Sequence, residues 1–407
     1  MMTKRTIGVG VIGLGWMGRL HSRSYRKLQE YYPDLDADIQ LVAAADPLES
    51  NRDAAVSQLG FERVYSDYKD LLSDPDIDVV SICCPNFLHR DVAVATAQAG
   101  KPFWIEKPMG VSAAQSQEIS AAAQRHNVVT AVGFNYRHTP AIEKARQLIH
   151  EGKLGRITNA RCWLIADYAS SPTGPLTWRY NREQAGAGVL GDLMSHGADL
   201  VHYLCGAITD VTAVTGTFIP KRPIPLKAGV GHEGWQVSDE LGPVENEDYV
   251  AVLARLNDGV IATIESSRVC VGPRAEYVIE VYGTDGSIRW NFERLNELEV
   301  CLGRDSEFQG YTRVMANSHF PAFSVFQPSA GTSMGFDDMK VVEAAQFIES
   351  VLSGIQYAPS AADACLAAEV VDAAVASAED GTWHAVAPVT GPLTFDRIDE
   401  DTKESHV

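Results

Sequence analysis

The chain has 407 residues, 45% apolar and 21% charged, a balance typical of globular proteins that supports neither disorder nor a fibrous repeat. That length exceeds what one hydrophobic core organises and points to two domains. The formal net charge of -19 argues against a general affinity for nucleic acid, whose phosphates need clustered Lys and Arg. No run of about eighteen uncharged apolar residues is present to span a membrane.

The first 135 residues alternate strand and helix signals. Short apolar runs at 7–12, 39–45, 78–84, 102–105 and 128–133 have the length of parallel strands buried on both faces. Helical patterns lie between them at 17–31, 50–59, 67–73, 88–99 and 112–126. The run at 7–12 is too short and too glycine-rich for an export signal. This alternation predicts a doubly wound parallel sheet, an α/β Rossmann domain over 1–135.

After residue 136 the rhythm changes. A helix near 139–151, a strand at 156–168, a loop rich in Ser, Pro and Gly at 169–188 and a helix at 189–204 precede a run of strands at 209–218, 248–256, 259–270, 276–284, 287–292 and 297–302. Asn257-Asp258-Gly259 and Thr284-Asp285-Gly286 mark hairpins, so an α+β domain with a large open, mainly antiparallel sheet is expected over 136–385. Residues 219–247 show no periodicity and read as a surface excursion, and 337–380 as two helices, the second Ala-rich. Residues 386–407, with the acidic run Asp396 to Asp401, read as a C-terminal tail.

Gly13-Leu14-Gly15-Trp16-Met17-Gly18 ends the first strand and opens the first helix. In that context Gly13 makes a tight turn, Gly15 lets the backbone approach a pyrophosphate, and Gly18 permits close helix-strand packing. The helix amino terminus then offers free amides and a positive dipole end to the phosphates. Asp46 follows the second strand, where a carboxylate accepts from the adenosine ribose and repels a 2′-phosphate. NAD is therefore the expected cofactor. Arg52 could counter a phosphate, which leaves NADP as second choice.

Four further segments carry a resemblance. Pro85-Asn86-Phe87-Leu88-His89 follows the strand at 78–84, Glu106-Lys107-Pro108 the strand at 102–105, Gly133-Phe134-Asn135-Tyr136-Arg137 stands at the domain junction, and Asp192-Leu193-Met194-Ser195-His196 lies on a later helix. With the glycine turn, these make the sequence resemble the Gfo/Idh/MocA oxidoreductases over nearly its whole length. The resemblance implies that Gly13, Gly15, Trp16, Met17, Asp46, Pro85, Asn86, His89, Glu106 and Lys107 line the cofactor site. It also implies that Lys107, Asp192 and His196 are catalytic, and that Tyr136, Trp178 and Arg179 join Asp192 and His196 around the substrate. Two departures touch the pocket's shape: Gly186-Ala187-Gly188 stands where consecutive glycines are common, and Met194 where a smaller residue is.

Elementary chemistry supports the same set. Oxidising an alcohol requires a base for the hydroxyl proton and a positive charge or donor near the developing alkoxide. Lys107 stands at the carboxyl end of a parallel strand, where ligands of such sheets bind. Asp192 and His196, four residues apart, share a helical face. Neutral imidazole accepts a proton near pH 7, and the carboxylate can orient hydroxyls or hold the imidazole tautomer. A metal site completed by Asp199 is the competing reading of that face. His202 is rotated away, and without a third clear ligand no metal is expected.

The sequence therefore points to a dehydrogenase of a sugar, anhydrosugar, cyclitol or glycoside hydroxyl, with softer similarity to inositol and anhydrosugar dehydrogenases in 248–295. One rival keeps the cofactor but cleaves a glycoside through transient oxidation and elimination, returning the hydride. Another is a dinucleotide sensor, which would need neither Lys107 nor His196. The expected partner is a small carbohydrate or cyclitol, with no nucleic acid and no membrane, and the resemblance implies a homotetramer or dimer. Seven cysteines without a C-x-x-C pair suit a cytoplasmic location.

Overall fold

A computed structural model describes residues 4–227, 235–303, 309–391 and 393–394. The acidic run Asp396 to Asp401 lies outside them. The amino-terminal sheet contains β1 (Arg5–Ile12), β2 (Ala37–Ala45), β3 (Arg63–Tyr65), β4 (Val79–Ile82), β5 (Phe103–Ile105) and β6 (Thr130–Val132). All pairings are parallel, in the order β3-β2-β1-β4-β5-β6. This is the doubly wound order, and the chain reverses direction of winding between β1 and β4. The intervening helices are α1 (Trp16–Tyr31), α2 (Glu49–Ala54), α3 (Tyr68–Leu72), α4 (Asn86–Gln98) and α5 (Ala113–Arg125). Asp67 and Ser112 cap α3 and α5 through side-chain oxygens.

The second unit begins with a 3₁₀ turn at Asn135–His138 and α6 (Pro140–His150). Next come β7 (Ile157–Ala166), a 3₁₀ turn at Trp178–Tyr180, the short α7 (Arg182–Ala185), a π turn at Leu190–Met194 and α8 (Ser195–Cys205). Then follow β8 (Ile208–Gly216), β9 (Lys221–Lys227), β10 (Gln236–Pro243), β11 (Tyr249–Leu256), β12 (Ile261–Ser267), β13 (Ala275–Gly283), β14 (Gly286–Asn291), β15 (Glu297–Leu302) and β16 (Thr312–Met315). The chain closes with α9 (Phe323–Phe326), α10 (Phe336–Ser353), α11 (Ala361–Asp380) and β17 (His384–Ala385).

Nine of these strands form one sheet, β16-β15-β14-β13-β7-β12-β11-β8-β17, antiparallel throughout except where β7 meets β12. Alternation along the strands turns Val250, Val252, Ala262 and Ile264 inward against α8 and leaves Leu253 and Ile261 on the uncovered face with Val214. The excursion expected at 219–247 contains a hairpin, β9 with β10. Pro223 and Pro225 are tolerated there because a two-stranded ribbon leaves outward N–H positions unused. The edge strands β3 and β16, three and four residues long, were too short for periodicity to show.

The last helices return to the first unit. Val341, Ala344, Phe347 and Ile348 of α10 share a core with Val9, Val11 and Leu28, and Ala361, Ala364 and Ala367 of α11 share one with Ile82, Ile105 and Ile119. Both faces of the parallel sheet are thus completed from the carboxyl-terminal end of the chain. Among the described residues no helix is long and apolar enough to cross a membrane.

Candidate active site

The loops at the carboxyl ends of β1, β2, β4, β5 and β6 converge at the winding reversal, and the face of α8 and its π turn closes the cleft from the other unit. Gly13 has φ +86, and a Cβ there would lie 2.7 Å from the Cys83 backbone, so the turn requires glycine. A Cβ on Gly18 would sit 1.9 Å from the Gly13 carbonyl oxygen, which is the close packing anticipated from sequence. Gly15 differs: a Cβ there would meet nothing within 4 Å. No side chain caps α1, so its first amides have no side-chain acceptor at the helix start. That open, amide-lined cradle fits a dinucleotide pyrophosphate. Trp16, 56% exposed, stacks on Phe336 at the start of α10 with centroids 5.6 Å apart. Met17 occupies the next position of the same helical turn.

Asp46 is buried, and its carboxylate accepts from Leu14 N (2.8 Å) and Leu48 N (2.9 Å). It therefore braces the glycine turn from the carboxyl end of β2. Arg52 donates to the Asp46 and Pro47 carbonyls at 2.8 and 2.9 Å, which directs its guanidinium to the backbone. Pro85 precedes α4 and Asn86 opens it. His89 is wholly buried, each ring nitrogen 2.9 Å from a carbonyl, of Cys84 and of Pro108. A neutral imidazole donates to only one of them. His89 acts on the site by tying the loop after β4 to the loop after β5.

Glu106 and Lys107 follow β5, and the Lys107-Pro108 peptide is cis. Lys107 Nζ donates to the Asp192 carbonyl (2.7 Å) and to Asp192 Oδ1 (3.0 Å), bridging the two units. The other carboxylate oxygen accepts from the Tyr168 hydroxyl at 2.5 Å. Burial alone would raise the Asp192 pKa, but the Lys107 and Arg179 charges and the Tyr168 and Lys107 hydrogen bonds outweigh it and keep the group ionised.

His196 is buried beside the Tyr136 ring, with centroids 4.6 Å apart, and meets Phe134 edge-on at 5.9 Å. Burial first, then the Lys107 charge, lowers its pKa well below 6.5, so the imidazole is neutral. A Cβ on Gly197 would come within 2.8 Å of Leu164 and 2.9 Å of Ile264, so the glycine lets α8 lie close on the sheet and sets the height of His196. The expected helix at 189–204 starts with a π turn that contains Asp192, a local widening frequent at functional sites.

Lys107, Asp192, His196 and Tyr136 are thus brought together. Trp178 and Arg179 stand at the mouth, the Arg179 guanidinium 4.5 Å from the Trp178 ring centre and Phe87 edge-on to that ring at 6.0 Å. Asp199 is turned elsewhere, in a bidentate pair with Arg137 at 2.8 and 2.5 Å. Sequence reasoning missed Tyr168, which stands alone after β7 without a spacing to mark it. It also missed His21, whose place on the buried face of α1 beside Gly18, Tyr25 and Leu28 was a usable signal.

Comparison with known proteins gives the family. Residues 7–134 match the oxidoreductase family with an NAD-binding Rossmann fold, and residues 142–289 match the GFO/IDH/MocA C-terminal domain. The chain is 35% identical to a levoglucosan dehydrogenase of Pseudarthrobacter phenanthrenivorans, over 93% of this chain and 98% of the relative. It is 26% identical to an inositol 2-dehydrogenase of Rhizobium meliloti, over 91% and 97%. A solved structure of levoglucosan dehydrogenase with NADH and L-sorbose superposes with a TM-score of 0.89 at 33% identity, covering 94% of this chain and all of the other.

Proposed function

The chain belongs to the Gfo/Idh/MocA family of NAD-binding oxidoreductases, and from that premise we propose that it oxidises a ring hydroxyl of a sugar, anhydrosugar, cyclitol or glycoside to a ketone. The observation that carries the reading is the Lys107-Asp192 bridge, which sets a cation from the cofactor unit beside a neutral His196 from the sheet unit. The likeness to levoglucosan dehydrogenase over almost the whole of both chains supports an anhydrosugar or a related ring polyol as substrate.

Bound NAD supplies the hydride acceptor. An imidazole nitrogen of His196 takes the hydroxyl proton, and the Lys107 ammonium stabilises the oxygen as negative charge develops on it. Asp192, fixed by Lys107 and Tyr168, accepts from a neighbouring hydroxyl and so orients the ring. Tyr136 walls the ring beside His196, while Trp178 and Arg179 bound it at the mouth. Asn86, with Pro85 ahead of it, and Glu106 border the nicotinamide end, and Gly13, Gly15, Trp16, Met17 and Asp46 the adenosine and pyrophosphate end. Arg52, spent on carbonyl oxygens, leaves NAD favoured over NADP.

The uncovered sheet face, with Val214, Leu253 and Ile261 exposed, supports a homo-oligomer, dimer or tetramer, assembled through it. Seven free cysteines suit work in the cytoplasm. The test is a panel of anhydrosugars, sugars, inositols and glycosides with NAD, following NADH absorbance and identifying products. Stoichiometric NADH and ketone are expected. Glycoside cleavage without NADH would replace net oxidation by the redox-neutral reaction, and no product from any member would remove the assignment.

A further inference from the structure

Beneath the proposed cofactor end of the cleft lies a buried polar cluster drawn from four distant parts of the chain. Lys340 of α10 is 1% exposed, and its Nζ lies 2.6 Å from Glu106 Oε1 and 2.9 Å from Glu343 Oε2. His21 of α1 reaches the same Glu106 oxygen with Nε2 at 2.8 Å, and its ring stacks on Trp104 at 3.4 Å between centroids. Trp104 Nε1 donates to Glu343 Oε1 at 3.1 Å, and Ser81 stands 3.2 Å from His21 Nδ1. Of these groups only Glu106, with His21 behind it, figured in the site described above, yet together they determine where its carboxylate points.

We propose that Lys340 is a positioning residue of the hydride-transfer site, which fixes the Glu106 carboxylate, and with it the loop carrying Lys107, from a helix of the carboxyl-terminal region. The inference rests on the reading that this cleft oxidises an alcohol with NAD. A fully buried ammonium is costly unless paired, and its pairing here is with a residue directly adjacent to the catalytic lysine. Two donors converge on one oxygen, Oε1, so the carboxylate plane is held from behind. In front, Oε2 would lie 2.7 Å from a Cβ on Gly133, and the glycine leaves room for that oxygen at the end of β6.

Electrostatics agree with this geometry. Burial pushes the His21 pKa down to about 4, so the ring is neutral and Nε2 is the donor to Glu106. Burial would raise the Glu106 pKa, but the Lys340 charge and the His21 hydrogen bond hold it ionised. The groups whose charges bear on His196 are Lys107 and Glu106 after β5, Lys340 on α10 and Asp192 in the π turn. Lys340 thereby adds to the field that keeps the base deprotonated, while Glu106 opposes it.

The decisive experiment is a double-mutant cycle of Lys340→Met and Glu106→Gln in the full chain, with kcat, KM for NAD, thermal midpoint and the emission of bound NADH measured for each. Lys340→Met is expected to lower kcat about ten- to a hundredfold, as for a reacting group misplaced by about an ångström, while NADH affinity stays within about threefold because the glycine turn is untouched. Adding Lys340→Met to Glu106→Gln should cost little more kcat, since Lys340 acts through that carboxylate. Lys340→Arg, which keeps the cation, should retain more activity than the Met variant. If Lys340→Met does not accumulate as folded protein, Lys340→Gln takes its place in the cycle. A kcat within twofold of wild type, or losses that multiply independently, would overturn the proposal. Should the wild type oxidise no member of the panel, the functional reading falls by itself. The emission of bound NADH then decides the positioning role: a shift shared by the Lys340→Met and Glu106→Gln variants supports it, and emission unchanged from wild type overturns it.

Discussion

The two halves of the cleft are built on opposite principles. On the parallel-sheet side the atoms proposed to recognise the cofactor are mostly backbone amides, and the side chains that matter are those that are missing, at Gly13, Gly15 and Gly18. On the antiparallel-sheet side the working atoms are side chains, Asp192 and His196, held by partners from both units. A backbone site tolerates no added atoms, whereas a side-chain site tolerates no lost ones. The contrast explains why one half can serve many chemistries while the other defines a single reaction.

That contrast can be broken from either side. Deleting the imidazole in His196→Ala should lower kcat by about 10²- to 10⁴-fold and leave NADH affinity within about threefold, measured by steady-state kinetics and fluorescence titration. Turnover at the wild-type rate would take the base away from His196. The mirror experiment adds an atom: Gly15→Ala should leave the thermal midpoint nearly unchanged, because its Cβ meets nothing within 4 Å, yet weaken NADH binding at least about tenfold, roughly 1.4 kcal/mol. Gly18→Ala, with its Cβ 1.9 Å from a carbonyl oxygen, should lower both, and equal midpoints for the two variants would contradict the geometry.

Asp46 is the exception on the backbone side, a side chain that braces the glycine turn and is proposed to receive the ribose. Asp46→Ala should weaken NAD several-fold, narrow the preference over NADP, and lower the thermal midpoint because Leu14 N and Leu48 N lose their acceptor. A wild-type preference for NADP would reverse the reading. The smallest effect concerns pH. The folded pKa of His196 is depressed, so its active neutral form persists above that value and is lost only as pH falls through it. Profiles of kcat/KM should therefore stay flat from pH 7 down through 6.5, the ordinary imidazole value. An acid limb centred on 6.5 would place His196 in a more solvated setting than its burial implies.

The same division decides what could be read from sequence. The glycine turn, Asp46 and Glu106-Lys107 each sit at a strand end, where local pattern and chemistry coincide, and the structure places all of them around one cleft. The Asp192-His196 spacing was legible as a shared helical face, though not the π turn that widens it. Tyr168 closed the strand expected at 156–168 but lies two residues beyond the end of β7, where alternation no longer says which way a side chain faces. Lys340 was hidden more thoroughly: a lysine among apolar residues suggests a solvated edge, and its partner Glu106 is 234 positions away. Strands β3, β9, β10 and β16 were missed because they are short or carry proline, and pairing rather than propensity makes them strands.

The covering of the parallel sheet by α10 and α11 has a consequence for how the chain is made. Trp104 bonds to Glu343 across 239 positions, and Val132 N, at the end of β6, donates to the Pro359 carbonyl. A nascent chain that has already emitted all six parallel strands still lacks the helices that close both faces of their sheet. Until those helices are made the sheet keeps apolar surface exposed, and its closing contacts are of the long-range kind that form slowly. The sheet that carries the glycine turn is thus completed by residues more than two hundred positions beyond it, so the cleft and its distant cover are expected to form together.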